Sequence, residues 1–200
     1  MNTKSTHSFT LLGVISLGLL LGACQDEIDA PLPEISEIKH EKLVHPEYFT
    51  YGTPKVIDLD RDGTVDFQFG VTLMGNELGD HYQFVISPVR SNTALVNESE
   101  VIPLEEGFEI GASAQQNGRV WDIGLGKFQT KLQKQIGEPS WSGNWSTIPD
   151  GLVGIRFSID NKNHYGWIKI ASDPYSSRMA ILEYAFRLEP EKSIQSGQTK

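Results

Sequence analysis

Val65-Asp66-Phe67-Gln68-Phe69-Gly70-Val71-Thr72-Leu73 carries an apolar side chain at every odd position and a polar residue or glycine at every even one. Successive side chains of a strand point to opposite faces. This period of two therefore predicts a β-strand with Val65, Phe67, Phe69, Val71 and Leu73 on its core face. The alternation returns at Tyr82, Phe84 and Ile86, and again at Val153, Ile155, Phe157 and Ile159. Asp160-Asn161-Lys162-Asn163 then forms a polar turn into His164-Tyr165-Gly166-Trp167-Ile168-Lys169-Ile170, which reads as a hairpin. A second turn at Ser172-Asp173-Pro174-Tyr175 leads to a further strand from Met179 to Phe186.

Short strands with turn signals at this spacing predict an all-β fold, an antiparallel β-sandwich of jelly-roll type. Only Lys127 to Gln135 has the composition of a short helix, and no repeat of solenoid or propeller length is present. The domain is expected over residues 46–190, followed by a polar tail over 191–200. Tyr165 and Trp167 share one face of their strand, while His164, Gly166 and Ile168 share the other. Core packing accounts for the two aromatics, and Trp121 in Val120-Trp121-Asp122-Ile123 also reads as core.

The strongest chemical signal sits just before the deciding strand, in Asp58-Leu59-Asp60-Arg61-Asp62-Gly63-Thr64-Val65-Asp66. Calcium is a hard cation that takes several oxygens. Carboxylates at loop positions one, three and five, a glycine at six and a backbone carbonyl at seven wrap it. Asp58, Asp60, Asp62, the Thr64 carbonyl and Asp66 fill these roles, so a structural calcium ion is the expected cofactor. Without a cation, four carboxylates in nine residues repel one another. A helical EF-hand needs an acid at position twelve, where this chain has Phe69. The loop instead resembles the DxDxDGxxD calcium loop of integrin-type repeats, which sits between strands, with Asp66 closing the ring.

Phe9 to Cys24 form a short apolar run that ends Leu21-Gly22-Ala23-Cys24, after Lys4 and the amino terminus provide a small basic region. The run is too short to span a bilayer as a stable helix. It resembles the signal of bacterial lipoproteins, whose lipobox cysteine is acylated. That resemblance implies a signal peptide over 1–23 and a lipid-bearing Cys24, with palmitate-like chains each adding about 0.8 kcal/mol per buried methylene. Gln25 beside the cysteine is unlike an inner-membrane retention signal, and Asp26-Glu27-Ile28-Asp29 is similar to surface-export signals of Bacteroidetes lipoproteins. An outer-membrane, cell-envelope location follows, with surface display as a further expectation. Residues 24–45, with Pro31 and Pro33, read as a flexible tether.

Cys24 is the only cysteine, so no intrachain disulfide or catalytic thiol is available. The net charge of −9 does not suit a nucleic-acid partner. Val153 to Phe157, His164 to Ile170 and Ile181 to Phe186 resemble the closing strands of secreted bacterial β-proteins of the PEP-CTERM-associated type. The likeness implies a β-sandwich with a calcium loop near its start; that group is functionally uncharacterised, so the likeness points to no particular activity.

Pro139-Ser140-Trp141-Ser142-Gly143-Asn144-Trp145-Ser146-Thr147-Ile148-Pro149 offers two tryptophans four apart. If exposed, Trp141 and Trp145 would stack on sugar rings while Asn144 bonds hydroxyls, giving a carbohydrate-binding module. Burial of both rings is the plainer reading. The chain lacks GxSxG, HExxH and a phosphate-binding glycine loop. A glycan hydrolase would need only paired carboxylates, for which Glu105, Glu106, Glu109, Asp122 and Asp150 are available. The leading expectation is a non-enzymatic binding or structural role at the envelope, with a glycan or an envelope protein as partner.

Overall fold

The computed structural model describes residues 37–200. Among the described residues, fourteen strands and one 3-10 turn, Ala112–Ala114, make up the regular structure. In chain order the strands are β1 (Ile38–Phe49), β2 (Lys55–Ile57), β3 (Phe67–Asn76), β4 (Gly79–Pro88), β5 (Thr93–Asn97), β6 (Glu100–Val101) and β7 (Glu109–Ile110). They continue as β8 (Val120–Asp122), β9 (Gly126–Lys134), β10 (Ser140–Ser142), β11 (Asp150–Ile159), β12 (Lys162–Asp173), β13 (Arg178–Arg187) and β14 (Ile194–Gln195).

The fold is all-β. Twelve strands form one sheet whose main path is β1-β13-β12-β11-β5-β6-β9-β4-β3-β2, with β8 and β10 attached beside it. All its ladders are antiparallel except the single β6–β9 bridge between Glu100 and Lys127. The sheet curls until it is nearly closed, so the two facing layers of the expected sandwich are two halves of one sheet. Its free edges, β1 and β2, are joined by side chains. Lys55 pairs with Glu47 at 2.7 Å, Arg61 with Glu41 at 2.6 Å, and Lys39 Nζ donates to the Leu59 carbonyl. Capping an edge with charged groups also blocks further strand addition.

The enclosed core contains Phe49, Phe69, Phe84 and Phe128, whose rings meet at centroid distances of 5.5–6.4 Å. A second apolar cluster lies on the outer face of β5 and β11–β13, where Leu95, Leu152, Tyr165, Trp167 and Ala185 pack against Leu104, Ile110 and Ile194. This half of the sheet is therefore buried on both faces. That explains the nearly continuous apolar run of Thr93-Ala94-Leu95-Val96.

Several expectations need correction. The tether does not reach residue 45, because β1 begins at Ile38 and pairs with β13 from Ile38↔Arg187 to Phe49↔Met179. Lys127–Gln135 is not a helix: residues 126–134 are β9, held between β4 and β10, and Phe128 is fully buried. Its backbone hydrogen bonds and core position outweigh the weak helix preference of its Lys and Gln residues. Residues 191–200 are not a free polar tail. Ile194 and Ser196 are buried, β14 pairs with β7, and the Trp167 indole donates to the Gln198 carbonyl.

In the deciding strand, Phe67 and Phe69 are fully buried, Val65 and Val71 are half-buried, and Leu73 is exposed. The hairpin β3–β4 runs past the end of the core. The turn after β11 holds Asp160 and Asn161 at φ +50° and +61°, the pair of left-handed residues that a two-residue hairpin needs. Among the described residues no helix is long and apolar enough to cross a membrane.

Candidate functional site

The strands give the domain two poles. Hairpin β11–β12 pairs Asp150 with Ala171 at one end and Ile159 with Lys162 at the other. Ten residues at about 3.3 Å each separate these ends by roughly 30 Å. The aspartate loop lies at the Ile159 end, and the tryptophan loop at the Asp150 end.

At the aspartate pole the chain leaves β2 and returns to β3 through Asp58–Asp66. Leu59, fully buried, anchors the loop to the core. Asp58 accepts the backbone N–H groups of Arg61 and Gly63, both at 2.8 Å. Asp60 accepts from Asp62 N, and Asp62 from Thr64 N. These bonds wind the chain tightly enough to require left-handed backbone at Arg61 (φ +67°) and Gly63 (φ +87°). Glycine takes that conformation without a Cβ clash.

Asp66 forms the floor. Its side chain accepts from Leu59 N at 2.8 Å and from the Asn92 amide at 3.0 Å, while its backbone bonds Ile57 and Val89. Asn92, itself buried, also accepts from Ser158 N, so one amide links the loop to β11. Nothing in the local sequence distinguishes Asn92, and only the fold brings it to this place.

The result is a cluster in which Asp58, Asp60 and Asp66 each offer an oxygen within 4.8 Å of the others. Asp62 and Thr64 are not in that group. They line the adjoining cleft with Asp60, Asp66 and the β11–β12 turn. The structure therefore gathers three of the four expected carboxylates. Burial raises the Asp66 carboxyl to about 6, and the Asp58 and Asp60 charges push it the same way. The Asp60 carboxyl is also raised, first by burial and then by Asp62 and Asp58.

The loop's own Arg61 turns away to Glu41, whose carboxylate also accepts from the Tyr184 hydroxyl at 2.7 Å, while Arg90 lines the cleft beside Asp60 and Asp66. The Tyr184 and Arg61 donors hold the Glu41 carboxyl low, and burial, followed by the contact with Glu41, raises the Tyr184 phenol. An all-oxygen carboxylate set with its own arginine directed elsewhere fits a hard divalent cation. Each oxygen retains a lone pair beyond its N–H partner.

The tryptophan loop differs from its expectation. Trp145 is fully buried, its ring edge-on to Phe128 at 5.1 Å, and its indole donates to the Val101 carbonyl at 3.0 Å. It belongs to the core and cannot form a sugar platform with Trp141. Gly143 (φ +101°) makes this possible: a Cβ there would lie 2.9 Å from the Phe128 oxygen, so glycine lets the loop press onto β9. Trp141 is half-buried, with its ring 5.8 Å from Phe84, and Asn144 is exposed. Trp121 packs half-buried against the outer cluster.

Tyr165 and Trp167 are core residues on the outer face, as their spacing predicts, and His164 is buried with Nδ1 2.8 Å from the Arg187 carbonyl. Glu105, Glu106 and Glu109 are exposed on the segment that covers this face, and Asp150 pairs with Lys169. Cys24 lies outside the described residues.

Compared with known proteins, the chain matches no family model, no curated protein and no solved structure. Its class is therefore defined by the fold alone, a nearly closed all-β domain with an acidic pole and an aromatic one.

Proposed function

We propose that this protein is a lipid-anchored lipoprotein of the bacterial outer membrane, in which a calcium-stabilised β domain has a non-enzymatic binding or structural role. The observation that carries the calcium reading is the convergence of Asp58, Asp60 and Asp66 on one point. The ion's role is to hold the β2–β3 connection to the β11–β12 turn, offsetting the repulsion among the carboxylates. The lipobox at Leu21–Cys24 supports the anchor.

Two measurements test this reading. Thermal melts of the full chain with calcium and with chelator should differ, since binding at a hundred times the dissociation constant adds about 2.7 kcal/mol. Asp60→Asn should remove the difference. Equal melts in both conditions would reduce the aspartates to a polar turn. For the anchor, Cys24→Ser should move the protein from the membrane fraction to the soluble one and abolish palmitate labelling. Unchanged fractionation and labelling would refute it.

A further inference from the structure

We propose that the aromatic pole is a binding groove for a neutral oligosaccharide. This goes beyond the anchored, calcium-held reading above and does not rest on it. The main cleft, of about 700 Å³, lies between the tryptophan loop and the turn after β12, and its size is that of a small-ligand site. Trp141 forms one wall. Its ring packs on Phe84, so it is held rigidly while part of it remains open. Tyr175, on the facing turn, is fully exposed.

The cleft continues. A neighbouring hollow shares Lys131 and Ser177 with it and contains Tyr82 and Tyr51, whose rings meet edge-on at 5.5 Å. Trp141, Tyr82 and Tyr51 thus line two adjoining hollows at this pole. This geometry suits an extended chain of rings better than a compact ligand.

The polar groups in the groove are fixed before any ligand arrives. Lys131 Nζ donates to Ser177 Oγ at 3.0 Å. Asp173 accepts from Ser176 N and Arg178 Nε, both at 3.1 Å, and the Ser176 hydroxyl together with these donors keeps its carboxyl below the usual carboxylate range. One cation and one anion leave the main cleft without net charge in a strongly acidic protein.

Beneath the floor, Gln129 is fully buried with its amide nitrogen unpartnered, and its oxygen accepts from Ser172 Oγ at 3.1 Å. The Ser172 proton is therefore committed inward, and its lone pairs remain for a hydroxyl in the cleft. A sugar ring presents an apolar C–H face to an aromatic wall and a rim of hydroxyls to serine, lysine and carboxylate. These are the groups that line this groove.

The test is calorimetry and tryptophan fluorescence on the detergent-solubilised full chain, with cellohexaose, mannohexaose, maltohexaose and laminarihexaose as probes and a galacturonate hexamer as the charged control. At least one neutral hexasaccharide should bind and shift the tryptophan emission. Tyr175→Ala should weaken it about tenfold, the loss of one stacking contact, without changing the melt. Trp141→Phe, which retains the packing on Phe84, should also weaken binding. Chelator and Asp60→Asn should leave binding intact, so this proposal and the calcium reading fail separately. No neutral probe binding at millimolar concentration, preference for the galacturonate hexamer, or affinity unchanged in both aromatic variants would each overturn it.

Discussion

The aspartate pole and the aromatic pole are the two ends of the same strands, yet they are built in opposite ways. At the aspartate pole the carboxylates of Asp58, Asp60 and Asp62 are bound by backbone N–H groups only two to five residues away, so most of the loop's shape is written into nine consecutive residues. At the aromatic pole the groove is assembled from β9, the loop before β11 and the turn after β12, segments with no local relation. A local arrangement forms wherever its sequence occurs. A distributed one exists only if the whole sheet closes. The difference also separates burial from exposure: two tryptophans four residues apart have opposite fates because one lies over Phe128 and the other over the rim at Phe84.

The largest test of this contrast is Trp145→Ala. Removing a fully buried ring that also satisfies the Val101 carbonyl should lower stability by about 3–5 kcal/mol. Urea unfolding would measure this, with Trp141→Ala giving a clearly smaller loss. Equal losses would break the assignment of one ring to the core and the other to the groove.

A smaller effect tests the aspartate pole through pH. Folding raises the Asp66 carboxyl from 3.8 to about 6. The folded chain therefore binds this proton more tightly than the unfolded one. The resulting stability is complete below the unfolded value and is lost as pH rises through about 6. In chelator, the stability of wild type relative to Asp66→Asn should fall by up to about 3 kcal/mol between roughly pH 4 and pH 7. The comparison with Asp66→Asn isolates this group from Glu41 and Asp173, whose lowered carboxyls act in the opposite sense. Saturating calcium should reverse the slope, because the ion requires the carboxylate. A pH profile identical in wild type and Asp66→Asn would show that this carboxyl is not under strain.

The legible parts of the molecule are those decided by short-range geometry. Phe67 and Phe69 alternate because pleating forces them to, and Asp160-Asn161 turns because both residues tolerate left-handed backbone. What misled was composition without partners. Lys127–Gln135 contains helix formers, but strands on either side claim its hydrogen bonds. His40, Glu41 and Lys42 read as tether, yet Glu41 is held by Arg61 and Tyr184 from two other parts of the chain. Asn92, Lys131 and Tyr175 carry no local signal at all.

By itself the sequence determined the β character, the main hairpins and the aspartate loop, since each depends on contacts within about ten residues. Tertiary structure alone decided where the sheet closes, that the end of the chain covers its outer face, which tryptophan stays at the surface, and that Asn92 supports Asp66. Those outcomes depend on which distant segments compete for the same apolar surface and the same backbone partners, and that competition is settled only when the sheet curls around its core.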